Sequence, residues 1–218
     1  LGDAAARRSG LRIFEDETHY FHAADAMSSM GFDVLVVDYK RAFAGAQGPS
    51  HLETGGKIAW VVERVVDWAR AEGVIREGEK GAVVAWSLGA EGLWPLLSDE
   101  RRVAELGLVA AVVYYPSTED DARISNLRPL LVLSGESDDV TSAATVRAAL
   151  GQSGPADVDA YFYAGAQHGF DVVSLQPARE VRLLPLIGPS GTFGYDARAA
   201  EDAATRLRSF LEATVPVR

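Results

Sequence analysis

The strongest constraint on the fold is the order of apolar runs along the chain. Asp33–Tyr39 (DVLVVDY), Ala82–Trp86, Leu108–Tyr115 (LVAAVVYY), Pro129–Ser134 (PLLVLS) and Asp157–Tyr163 (DVDAYFY) each have the length and apolar content of one buried strand. Helical spacing separates most of them. In Thr18–Met30 it is carried by Tyr20, Ala23, Ala24, Met27 and Met30, before a stop at Gly31. Gly56–Glu72 places Ile58, Val61, Val62, Val65, Val66 and Ala69 on one stripe, and its Trp60 and Trp68 read as packing contacts. Further helices are expected to start near Leu88, over Ser142–Leu150, and at the end of the chain, where Ala200, Ala203, Leu207, Phe210 and Leu211 form the apolar face. Strands alternating with helices build a mostly parallel sheet covered on both faces, so the predicted class is α/β. With no linker dividing them, residues 1–218 are expected to form a single domain.

Charge and residue usage narrow the partners. A net charge of −10 repels a phosphate backbone, so the expected partner is a small molecule and no nucleic acid. No apolar run approaches the about 20 residues that a membrane span needs, so no membrane partner is expected. With no cysteine there is no disulfide, no thiolate metal site and no cysteine nucleophile. Leu1–Gly10 contains no signal-peptide pattern, which points to the cytoplasm; secretion stays open because the chain does not start with methionine. Monomer and homodimer are both compatible with these features.

Chemistry concentrates in Val83–Gly92 (VVAWSLGAEG), where Ser87 directly follows a strand run and precedes a helix. A serine displayed on such a turn needs small residues two before and two after it, and Ala85 and Gly89 provide them. The backbone N–H of Leu88 would then face a developing oxyanion; a second donor cannot be assigned. Four histidines could serve as base. His19 and His22 lie on a helix and read as surface residues without the further ligands a metal site needs, and His51 sits in a loop. His168, in Tyr163–Phe170 (YAGAQHGF) just past a strand, is the candidate base. The orienting acid is expected after the Pro129–Ser134 strand, where Glu136, Asp138 and Asp139 stand. Asp138 is preferred and Asp139 is the alternative, in the chain order Ser…Asp…His. Trp86 and Phe170, beside nucleophile and base, are the candidate substrate contacts. Asp171–Tyr195 is a long irregular stretch, and its Leu183, Leu184, Leu186 and Ile187 suit a lid over the cleft or, equally, a surface excursion.

On these residues the chain resembles the dienelactone hydrolase family of α/β hydrolases, from about residue 18 to the end. GFDVLVVDY is similar to that family's helix-strand entry, AWSLGA to its elbow, SGESDDVT to its acid loop, AQHGF to its histidine loop, and GYDARAAEDAATRLRSFL to its closing tyrosine and helix. The resemblance implies an α/β-hydrolase fold with Ser87 as nucleophile, Asp138 as acid and His168 as base, no metal and no cofactor. Prototype members attack with cysteine, so serine implies the broader esterase branch. They also bind a substrate carboxylate through an arginine shortly after the histidine, where this chain continues Asp171-Val172-Val173. The family has further N-terminal strands, one of them central; here only Leu11–Phe14 approximates a strand, and the chain reads as the remainder of a longer polypeptide. The expected function is hydrolysis of carboxylic esters or lactones through an acyl-enzyme. The alternatives are a catalytically inactive binding module, or acyl transfer or peptide cleavage by the same three residues.

Overall fold

A computed structural model describes residues 19–45, 49, 51–118, 127–151, 157–182 and 190–216. Period-two alternation in two strands decides the layering. Strand β2 (Leu108–Tyr114) sends Val112 and Tyr114 into one buried cluster and Ala111 and Val113 into another; β3 (Leu130–Gly135) divides Leu131 and Leu133 from Leu130 and Val132 in the same way. Strand β1 (Gly81–Trp86) pairs with β2, and β4 (Val158–Tyr163) pairs with β3. All pairings are parallel, in the order β1-β2-β3-β4, so chain reversals are made by crossovers that cover both faces. The α/β-hydrolase reading of the sequence therefore holds at the level of fold.

One face is covered by α1 (His19–Ser29) and by α7 (Ala197–Thr214), which buries Ala199, Ala203, Leu207 and Leu211 at four-residue spacing. Asp196 caps α7 by accepting hydrogen bonds of 3.0 Å from the amides of Arg198 and Ala199. The other face is covered by α3 (Thr54–Ala71), a 3-10 helix over Ser87–Gly92, α4 (Leu93–Leu97) and α6 (Ala143–Gly151). Two short helices, α2 (Tyr39–Gly45) and α5 (Glu100–Leu106), and a 3-10 turn over Val173–Leu175 complete the helical set among the described residues.

Glycines set how closely α3 approaches the 3-10 helix. A Cβ on Gly92 would stand 2.3 Å from Ile58 Cγ2, and one on Gly55 would stand 2.6 Å from the carbonyl oxygen of Glu91. Pro95, four residues after Glu91, has no N–H to offer that carbonyl. The expected helix near Leu88 starts as a 3-10 helix over Ser87–Gly92 and continues as α4.

Three expectations need correction. Asp33–Tyr39 is not a strand: residues 32–38 are irregular, and Leu35 and Val36 are 38% and 44% exposed. The run is apolar on both faces, but without a neighbouring strand its backbone gains no ladder. Asp38 instead accepts a 2.9 Å hydrogen bond from the Arg41 amide and opens α2, which runs from the last residue of the expected strand into the expected loop Lys40–Thr54. Trp68 is 55% exposed on the outer side of α3 and not a packing contact, whereas Trp60 is half-buried. Asp171–Tyr195 is also less irregular than expected, since it contains an antiparallel hairpin of β5 (Arg179–Arg182) and β6 (Ser190–Phe193). Leu11–Phe14 and Leu183–Ile187 lie outside the described residues. Among the described residues no helix is long and apolar enough to cross a membrane.

Candidate active site

The site is built where parallel strands end. Trp86 and Tyr114 are the last registered pair of β1 and β2, and one residue further on both chains turn into positive φ: Ser87 at 48° and Tyr115 at 35°. Such values are uncommon for residues with a Cβ, so both positions carry backbone strain held by their surroundings. Ser87 opens the 3-10 helix, and Leu88 follows in its first turn, where amides have no acceptor within the helix. The small residues around Ser87 differ in importance. A Cβ on Gly89 would meet only Ala85 Cβ, at an ordinary 3.5 Å, so it is the smallness of Ala85 that leaves room.

The acid loop follows β3 and the histidine loop follows β4, and the two touch. Ser137 N–H donates to the Ala166 carbonyl at 3.0 Å, and a Cβ on Gly135 would stand 2.3 Å from that same oxygen. This approach carries Asp138 to His168. The Asp138 carboxylate accepts hydrogen bonds from the Val140 amide (2.9 Å), the Thr141 amide (2.8 Å) and Thr141 Oγ1 (2.9 Å), and its Oδ2 lies 2.9 Å from His168 Nδ1. On the other side of the ring, His168 Nε2 lies 2.9 Å from Ser87 Oγ. Asp138 and His168 are 5% and 1% exposed, which keeps water from competing for these bonds.

Asp139, the alternative acid, turns away. Its carboxylate accepts bonds from the Thr192 amide (2.7 Å) and Thr192 Oγ1 (3.0 Å), tying β6 to the acid loop. Strand β6 in turn presents Phe193 edge-on to the His168 ring, with centroids 4.8 Å apart. Glu136 pairs with Arg147, which holds its carboxyl below the usual range.

Of the two expected substrate contacts, Phe170 is enclosed and Trp86 stays partly exposed. Phe170 is fully buried among Tyr114, Tyr115 and Tyr163, so in this structure it packs behind the site and lines no open surface. Trp86 is half-buried, stacked on Tyr114 and edge-on to Tyr20, with its indole N–H donated to Asp171 at 2.9 Å. His19, expected on the helix surface, lies 3.3 Å from the Asp171 carboxylate with a side chain only 14% exposed. Sequence reasoning also missed Tyr115, whose ring centroid lies 4.5 Å from that of His168, and Thr141, whose hydroxyl touches Asp138 and lies 3.4 Å from His168 Nδ1. The YYP and DDVT strings carried those signals: a polar turn after each strand that borders the site. Among the described residues no group of three or more His, Asp or Glu side chains could hold a metal ion.

Comparison with known proteins agrees with this architecture. The model of the dienelactone hydrolase family matches residues 100–215, a span that includes Asp138 and His168 and begins after Ser87. No curated protein matches the chain. Among solved structures, a candidate dienelactone hydrolase from Klebsiella pneumoniae is 18% identical over 71% of this chain and 61% of its own, with a TM-score of 0.50. The chain thus spans under two thirds of that protein's length. An α/β serine hydrolase without a lid from Xanthomonas campestris is 14% identical over 98% of this chain and 79% of its own, with a TM-score of 0.57. A candidate α/β hydrolase from Agrobacterium tumefaciens is 15% identical over 77% of this chain and 64% of its own, with a TM-score of 0.50. At these identities the solved structures speak to the fold.

Proposed function

Because the chain belongs to the dienelactone hydrolase family, we propose that it is a serine hydrolase that cleaves carboxylic esters or lactones through an acyl-enzyme. The observation that carries the reading is the buried imidazole of His168, bonded at 2.9 Å to Ser87 Oγ on one side and at 2.9 Å to Asp138 on the other. A serine hydroxyl is a weak nucleophile unless a base removes its proton, and the base works only if a third group fixes its tautomer. In the proposed reaction Ser87 Oγ attacks the carbonyl carbon while its proton passes to His168 Nε2. Asp138, accepting from Nδ1–H, stabilises the imidazolium. Collapse of the tetrahedral intermediate breaks the acyl–oxygen bond, and His168 returns the proton to the leaving alkoxide. Water, activated by the same imidazole, then attacks the acyl-serine and releases the acid. The Leu88 amide serves as one oxyanion donor, a contribution of about 2.7–4 kcal/mol in comparable sites.

The absence of an arginine shortly after His168, together with a net charge of −10, favours uncharged over anionic substrates. The test is a panel of p-nitrophenyl esters and neutral lactones assayed with the wild type and Ser87→Ala. Turnover that disappears in Ser87→Ala supports the reading. A folded wild type that hydrolyses nothing, or activity that survives the substitution, contradicts it and leaves the binding-module alternative.

A further inference from the structure

Asp171 is a second carboxylate of this region, and the reaction proposed above does not use it. Its side chain is 11% exposed and accepts two hydrogen bonds, from Tyr115 OH at 2.8 Å on one oxygen and from Trp86 Nε1 at 2.9 Å on the other, with His19 Nε2 3.3 Å away but outside hydrogen-bond geometry. Burial pushes the carboxyl up, but His19, Trp86 and Tyr115 together outweigh it and hold the group below the usual carboxylate range. A charge kept in so enclosed a place costs desolvation that a neutral packing residue would avoid. The groups it binds explain what it can do. Trp86 is the residue immediately before Ser87, at the end of β1. Tyr115 lies one residue past the Trp86–Tyr114 pair, at the end of β2, strained at φ 35° and in ring contact with His168. The Tyr115 backbone is held as well, its amide donating to the Leu133 carbonyl at 2.6 Å, while its carbonyl lies 3.2 Å from Thr141 Oγ1. One carboxylate thus grips both strand ends at the point where each leaves the sheet.

We propose that Asp171 is a positioning residue, which seats the Tyr115 ring against His168 and the Trp86 indole beside the elbow so that base and nucleophile stay in register. The inference rests on reading Ser87 as nucleophile and His168 as base. It is tested by Asp171→Asn, Tyr115→Phe, Trp86→Phe and the double variant Asp171→Asn/Tyr115→Phe. Each is assayed on a p-nitrophenyl ester, with kcat expressed per site titrated by a fluorophosphonate. Misplacement of the base should lower kcat on the order of 10- to 100-fold in Asp171→Asn and Tyr115→Phe while KM moves by no more than about twofold. The double variant should be no worse than the poorer single one, because both break the same link. Unchanged kcat per titrated site in the single variants, or losses that simply multiply, would overturn the proposal and leave Asp171 as packing. If Asp171→Asn does not fold, Tyr115→Phe, which keeps its ring and loses only the hydroxyl, and Trp86→Phe, which keeps an aromatic side chain without the N–H, decide by the same criterion. A wild type that neither turns over nor labels points instead to failure of the functional reading.

Discussion

Asp138 meets His168 through a 2.9 Å hydrogen bond between two side chains almost sealed from solvent, while the next residue, Asp139, binds Thr192 on the hairpin. Adjacent acids are thereby assigned to different tasks by the turn itself. Asp138 bonds back to the amides of Val140 and Thr141 and faces inward, which leaves Asp139 facing β6.

The first prediction follows from that division. Asp138→Asn should lower kcat by about 10⁴-fold, because an amide at that position favours the wrong imidazole tautomer. Asp139→Asn should leave kcat within about tenfold and cost ~1–2 kcal/mol of stability through the weakened hold on Thr192. Steady-state ester hydrolysis and urea denaturation of both variants check the pair.

Close approach at Gly92 gives a second prediction. With Ile58 Cγ2 standing 2.3 Å from the place a Cβ would take, Gly92→Ala should destabilise the fold by about 1–3 kcal/mol through overpacking. Ile58→Ala in the same chain should recover part of the loss, although alone it leaves a cavity. Gly89→Ala, whose Cβ meets only Ala85 at 3.5 Å, should be far milder, and urea midpoints rank the variants.

Acid stability reports on Asp171. Its folded pKa is depressed, so its contribution is fully present above the unfolded value of about 3.9 and is lost as pH falls through the folded value. Asp171→Asn leaves buried donors without an anionic partner and should cost ~1–3 kcal/mol near neutrality. The gap between wild type and variant should narrow below about pH 4. Denaturation curves between pH 3 and 7 test this, and a gap independent of pH would show that the carboxylate's charge contributes nothing.

The outer edge of β4 supplies a fourth prediction. Arg147 lies 3.7 Å over the Phe162 ring and Arg206 lies 3.4 Å over Tyr161, so each guanidinium shields an aromatic on an edge strand that has no partner on its far side among the described residues. Replacing both arginines with alanine should raise concentration-dependent association, measured by light scattering, with little change in kcat.

The fold was legible wherever pattern and ladder agreed. Leu108–Tyr115, Pro129–Ser134 and Asp157–Tyr163 appear within a residue or so of the bounds that their apolar runs set, because each has a strand beside it. Asp33–Tyr39 has an equally strong pattern and fails, since a strand exists only with a partner and the sequence does not show who the partner is. The same limit applies to side chains. Spacing brought Ser87, Asp138 and His168 into consideration together, and the geometry brings them within hydrogen-bond reach. It could not show that Phe170 faces inward, that Trp86 gives its N–H to Asp171, or that His19 leaves the helix surface to join them. Those relations depend on how separate loops pack, and no local signal encodes that.

The most direct test of the account is covalent labelling of the folded protein by a fluorophosphonate, read by intact mass and peptide mapping. The account predicts one adduct per chain on the peptide that contains Ser87, a much slower reaction in His168→Ala, and none in Ser87→Ala. A folded wild type that takes up no label, or carries it on another residue, would contradict the central claim that His168 activates Ser87.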